Sequence, residues 1–517
     1  MAENEDKLYR LIHSLDKSEK GFVKKFAALH VREDANGVRL FDIYNKVIPY
    51  DENKLDKLLV KEKFYGHLPK VKNYLYELIL KALRNYYIEK DEYYRLNTII
   101  QNANILKNKR LHKEALSVIK KVKKECLEQE RWLLLSEANG IERQLQPSFY
   151  VAPEEYFEGF SKWRQEDDIH KELHYGGRFF TEMYYKVFYL IHLLNKTPKN
   201  ELAKSIEKLT TTPEYIKYSE LGKIRISTLH LKVKLYENFM KNELKDFNFN
   251  ASTLLEYYGS PNITHIYLPN TVIGLINNLA LICIMYGNEK IFNDSMDLLQ
   301  QTQLNLIDQN ESAVIAADNC IAYLNSYYFM KKGWFDKGLD LCKKKLTLTD
   351  DLDDGLTENK AALYYYQSAF LFLSGKFSES IKSLNAIDLY TEKHTSIGIE
   401  SESFLLKILA HIEMNNYDSA DYLAKKYTVF LEKRAPNFKQ RIALMKIFRQ
   451  LEQVSKESLA TLYFKQNTNQ IEEDALVGVC LIDINLYLKA ISEKTDLAKL
   501  YAEKFNQRRN ETFFNKK

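Results

Sequence analysis

GWFDKGLDLC (333–342), GKFSESIKSL (375–384) and NNYDSADYLA (415–424) decide the fold. Each begins with Gly333, Gly375 or Asn415, places an aromatic two residues on (Phe335, Phe377, Tyr417) and a small residue three further (Gly338, Ser380, Ala420). A Gly or Asn ends one helix in the left-handed conformation, the aromatic wedges between two helices, and the small residue lets their backbones approach. The three starts are 42 and then 40 residues apart, and an apolar helical stretch precedes each, at 323–330, 364–373 and 404–412. Each unit therefore reads as one helix-turn-helix hairpin. Weaker copies occur at Arg110, His112 and Ala115 in RLHKEALSVI, and around Gly287 after NNLALICIMYG.

At these five places the chain resembles the tetratricopeptide repeat family. The resemblance spans residues 97–505 and is clearest over 310–435. It implies an all-α chain whose hairpins stack into an α-solenoid, in a family whose members mostly bind other proteins. The spacing of 40–42 residues exceeds the family period of about 34, and the proline that closes a family unit is absent, so longer helices or loops are expected. The opening LIHSLDKSEKGFVKKFA also resembles the start of uncharacterised repeat-bearing proteins of the Bacteroidetes, which implies a bacterial source and no particular activity.

The composition agrees with long helices. Glycine (17) and proline (9) are scarce, while tyrosine (36) and phenylalanine (27), which lock one hairpin on the next, are abundant. At 517 residues the chain outgrows a single core, and a repeat array resolves that. Leu8, Leu11, Ile12 and Leu15 predict a first helix. A second, after Ser18, carries Phe22, Val23 and Phe26, and Asp51 or Asn53 caps a third with Leu55, Leu58 and Leu59. Gly66 and Pro69 break that helix before a longer one reaching about Tyr87. The domains expected are a basic N-terminal helical module (1–96), an irregular helical-hairpin array (97–260), a tetratricopeptide-like array (261–505) and a C-terminal tail (506–517). Pro147 and Pro153 suggest a break in the middle region.

No apolar export segment is visible in MAENEDKLYR. The uncharged stretch between Glu256 and Glu289 contains Pro261, Pro269, Asn270, Asn277 and Asn278, so it reads as a buried helix beside a loop and not as a membrane span. Five widely spaced cysteines (Cys126, Cys283, Cys320, Cys342, Cys480) lie in apolar helical patterns, which suits free thiols in a reducing cytoplasm.

Catalytic and cofactor signatures are missing. There is no phosphate-binding glycine loop and no nucleophile elbow, so no cofactor and no enzymatic activity are expected. His170 and His174 share a helical face at zinc-ligand spacing. Lys171 and Leu173 stand where the zincin glutamate would, so a solvent-facing polar helix is the expectation. The run DDLDDGLTE (350–358) has Leu352 and Ala361 where a calcium loop needs oxygen ligands, and reads as an inter-repeat loop. KKVKK (120–124) reads as a solvated face.

The expected function is a non-catalytic scaffold that holds a protein or peptide on the concave face lined by the first helix of each hairpin, with Asn325, Tyr328, Tyr365, Gln367, Lys407 and His411 as candidate contacts. The alternative is a regulatory nucleic-acid binder. Residues 54–124 carry 18 basic against 7 acidic residues, and Lys54, Lys57, Lys61, Lys70 and Lys72 form a candidate basic patch for phosphates.

Overall fold

The computed structural model describes residues 6–30, 36–48, 50–149, 152–193, 197–285, 287–307, 310–349, 357–387, 397–434, 439–449 and 483–514. All secondary structure in the described residues is helical, so the chain is all-α. It divides into two compact units, Met1–His174 and Tyr175–Lys517. Cys480 and residues 350–356 of the acidic run lie outside the described residues.

In the first unit, α1 (Lys7–His13), α2 (Lys17–His30), α3 (Asn36–Lys46), α4 (Glu52–Leu59) and α5 (Leu68–Ile88) share one core that includes Leu8, Ile12, Leu40, Phe41, Leu75 and Ile79. The second helix opens one residue before Ser18 because Asp16 and Glu19 build a capping box. Asp16 Oδ1 accepts from the Glu19 N–H at 2.7 Å, and Glu19 Oε2 accepts from the Asp16 N–H at 2.8 Å. Asp51 caps α4, accepting from the Lys54 N–H at 2.9 Å. A short turn at Tyr65–His67 then leads to Pro69 in the first turn of α5, where a missing N–H costs nothing. Three more helices follow, α6 (Glu92–Asn108), α7 (His112–Glu128) and α8 (Trp132–Leu145), each packed on the next. A turn at Gln146–Ser148 marks the expected break, and α9 (Pro153–His192) begins on Pro153 and carries the boundary between the units within its length.

The second unit continues with α10 (Lys199–Thr210), α11 (Pro213–Ser219), α12 (Ile224–Lys241), α13 (Leu244–Gly259) and α14 (Ile263–Ile266). Then come α15 (Pro269–Met285), α16 (Glu289–Leu306), α17 (Glu311–Lys332), α18 (Phe335–Thr349), α19 (Thr357–Leu373) and α20 (Phe377–Ile387). After α21 (Ile397–Glu413), α22 (Tyr417–Arg434) and α23 (Lys439–Phe448), the described chain ends with α24 (Ile484–Glu493) and α25 (Leu497–Phe514). Helix α25 thus carries residues 506–514, where the sequence suggested a tail. The uncharged stretch forms α14 and α15. Helix α15 is apolar because it is covered by α13, α16 and α17, which bury Ile273, Ile276, Leu279 and Cys283. No helix among the described residues is long and apolar enough to cross a membrane.

All five turn positions read from the sequence have left-handed backbones: Arg110 (φ 63°), Gly287 (78°), Gly333 (71°), Gly375 (74°) and Asn415 (59°). At Gly333 the closing bonds run from the Gly333 N–H to the Met330 carbonyl (3.1 Å) and from the Trp334 N–H to the Phe329 carbonyl (2.9 Å). The same pair recurs after Gly375 and Asn415, so each first helix ends in a Schellman motif that satisfies its last carbonyls. Glu130, Asn242 and Lys494 make further left-handed turns that the residue pattern does not reveal.

These turns fold α15 onto α16, α17 onto α18, α19 onto α20, and α21 onto α22. The first helices also touch one another in succession, α15 to α17, α17 to α19, and α19 to α21, and α13 packs on α15. First helices of 22, 17 and 17 residues account for the 40–42 residue spacing. The small residue after each turn sits at a close crossing. A Cβ on Gly338 would fall within 3.0 Å of the Phe370 ring on α19, and Ser380 and Ala420 are fully buried at the equivalent place.

Candidate functional site

The candidate surface is the face presented by α17, α19 and α21, and the residues expected there divide by burial. Asn325, Tyr328, Gln367, Lys407 and His411 are half-buried, each with part of its side chain accessible. Tyr365 is only 1% exposed and has no surface to offer a ligand, which corrects its assignment. It lies in the core because its hydroxyl reaches Glu402 Oε2 on α21 (3.4 Å), beside the buried ion pair of Glu402 with Arg441 on α23 (2.5 Å). Arg441 also donates to the Tyr427 hydroxyl at 3.0 Å, which completes a network joining α19, α21, α22 and α23.

Two of the remaining candidates are held by internal contacts. Tyr328 stacks on Phe292 (5.1 Å) and donates to Glu289 Oε1, while the Gln367 amide oxygen accepts from the Ser383 hydroxyl at 2.8 Å. His411 Nδ1 is buried without a hydrogen-bond partner among the described residues, and burial lowers the His411 pKa.

The C-terminal helices carry contacts that the residue pattern gave no reason to expect. They lie across the turn ends of the first helices. Phe505 meets the Tyr328 ring at 6.4 Å and lies under Lys332 Nζ at 4.6 Å, both on α17. Tyr501 packs edge-on against Phe335 at the start of α18 (5.9 Å). Tyr487 meets Phe372 on α19 (5.8 Å) and donates its hydroxyl to Glu413 on α21. Gly333 lies directly beneath the Ala498 backbone, where a Cβ would collide with the Ala498 carbonyl. Asp483 caps α24 by accepting from the Asn485 and Leu486 N–H groups, and it pairs with Lys504 at 2.6 Å. Burial alone would raise the Asp483 pKa, but Lys504 and the helix N–H bonds hold it below the usual carboxylate range. A small cavity remains between Met285, Lys331, Leu486 and Phe505.

The other singled-out residues are placed as follows. Lys54, Lys57, Lys61 and Lys70 are exposed. Lys72 is not available to a phosphate in the same way, because it pairs with Asp6 at 2.6 Å and faces the Tyr44 ring. Lys123 of the KKVKK run pairs with Glu142, and Val122 between the lysines is buried. The face bearing His170 is less solvated than expected. Asp167 is buried and accepts from the Asn139 amide (3.2 Å), which also meets His170 Nδ1 (3.1 Å), while Lys171 pairs with Asp167 at 2.6 Å. No group of three or more potential metal ligands occurs among the described residues. Cys126, Cys283, Cys320 and Cys342 are free thiols, and burial pushes Cys126 and Cys342 to about 12 and Cys320 to about 11.

Helix α12 holds two bases that burial shifts strongly. Lys232 is lowered to about 7 by desolvation, with its amine 3.6 Å over the Tyr184 ring. His230 is lowered to about 4, mainly by burial and then by Lys234. Its ring packs against Phe180 and Tyr215, each at 5.3 Å.

Comparison with known protein families, curated proteins and solved structures returns no match for this chain.

Proposed function

We propose that this chain is a non-catalytic scaffold: a tetratricopeptide-like α-solenoid that holds a protein or peptide on the face of its first helices, preceded in the sequence by an N-terminal helical module. The observation that carries this reading is the recurring left-handed turn combined with contacts between successive first helices from α15 to α21. Stacked hairpins of that kind give a long surface of modest contacts, suited to an extended ligand and little suited to a tuned catalytic centre. The raised thiols support the same reading, since a nucleophilic cysteine needs a lowered pKa, and four free thiols suit a reducing, cytoplasmic setting.

The test is in-lysate crosslinking and capture with the full-length chain and with a full-length Asn325→Ala/Lys407→Glu variant whose helicity is first checked by circular dichroism. The reading expects proteins captured by the native chain and lost from the folded variant. Equal capture by both would contradict it.

A second reading, regulatory nucleic-acid binding, is favoured by one observation: Lys54, Lys57, Lys61 and Lys70 are exposed on and around the α4–α5 turn. Binding carried by those lysines would weaken steeply with added salt.

A further inference from the structure

We propose that α24 and α25 form a displaceable strap seated across the turn ends of the first helices, beside Tyr328 of the candidate face, and that the partner it yields to is an amphipathic helix bearing two aromatics four residues apart. This rests on the scaffold reading above and adds the kind of partner and the means of control.

Contact order is the first argument. From α15 to α23 each helix meets its neighbours and near-neighbours in the chain. The C-terminal pair departs from this: α25 packs on α17, and Tyr487 reaches Glu413 across 74 positions. The second argument is how the contacts are spread. Phe505 and Tyr501 address α17 and α18, while Tyr487 addresses α19 and α21. Tyr501 and Phe505 are four residues apart on one helix, and such i and i+4 anchors are how an amphipathic helix reads a groove.

Polarity is the third argument. The contact between the pair and the array is not wholly apolar: it includes the Tyr487–Glu413 hydrogen bond and the Lys332 amine over the Phe505 ring. Mixed polar contacts of this sort characterise surfaces that part and rejoin. A small cavity lies at this seam, beside Met285 and Lys331.

Gly333 gives a selective handle. Asn415 makes the same left-handed turn in its own hairpin, so an asparagine is compatible with the backbone at position 333. Its Cβ, however, would collide with Ala498 of the strap, whereas a Cβ at Gly375 meets nothing within 4 Å. Gly333→Asn therefore lifts the strap, and Gly375→Asn is the matched control for the turn alone.

The experiment is hydrogen–deuterium exchange on the full-length native chain and on both variants, followed by binding of a labelled synthetic peptide covering 483–514. In the native protein, α24 and α25 should exchange together and faster than α17–α22. Gly333→Asn should speed their exchange by about tenfold or more while α17–α22 keep their protection, and Gly375→Asn should leave the strap unchanged. The peptide should bind a full-length Tyr501→Ala/Phe505→Ala variant and be excluded from the native chain. The proposal is overturned if α24 and α25 exchange only as fast as α17–α22, if Gly333→Asn loosens strap and array together, or if the peptide fails to bind the double variant. Those failures would make the pair a permanent part of the array, and the capture experiment would still decide the scaffold reading by itself.

Discussion

Lys232→Met should stabilise the second unit at neutral pH, and the gain should vanish in alkali. The Lys232 side chain is buried in α12, and desolvation lowers its pKa from 10.5 to about 7. Because the folded value lies below the unfolded one, the unfolded chain binds more protons between pH 7 and 10.5, and stability rises with pH across that window. At about 1.4 kcal/mol per unit, the shift corresponds to a cost of roughly 4 kcal/mol at pH 7. The amine's position 3.6 Å over the Tyr184 ring returns roughly 1–2 kcal/mol. Replacing the amine with a thioether of similar length should thus raise stability by about 2–3 kcal/mol at pH 7, and by close to nothing near pH 10.5. Urea unfolding followed by exchange protection of α12 and its neighbours, at pH 7, 8.5 and 10, measures this directly. A gain that does not change with pH, or a loss of stability at pH 7, would refute the reasoning.

Three further outcomes follow from other sites. Gly338→Ala should cost about 1–3 kcal/mol because its Cβ displaces the Phe370 ring, a cost measured by the urea midpoint and relieved when Phe370 is shortened to Leu in the same chain. His230 has a folded pKa of about 4 against 6.5, so native stability should fall by up to about 3 kcal/mol as pH drops from 7 to 4. His230→Phe should flatten that limb of the pH profile. Arg441→Met should cost about 3–5 kcal/mol by leaving Glu402 buried and unpaired, and adding Glu402→Met should recover most of it in a double-mutant cycle.

The turns of the array were legible in the sequence because a left-handed residue is costly for most side chains, which leaves Gly or Asn as a visible mark. The same turn at Glu130 and Lys494 was invisible, since those residues bear the strain without advertising it. Which residues face a ligand was harder to read. Helix α21 buries Leu405, Leu406, Ile408 and Leu409 on several sides, so periodicity does not single out one outer face, and Tyr365 on α19 was misplaced for the same reason. Lys72 looked like its exposed neighbours because its partner, Asp6, lies 66 positions away. Gly333 was read as a turn glycine, and its second role beneath Ala498 depends on a helix more than 160 residues on, which no local pattern encodes.

The most direct test of the central claim is to locate the crosslinks in a captured complex of the full-length protein by mass spectrometry. The account predicts that Lys407, on the first-helix face, is joined to a protein partner. Crosslinks confined to Lys54, Lys57, Lys61 and Lys70, with nucleic acid recovered and released by salt, would contradict it.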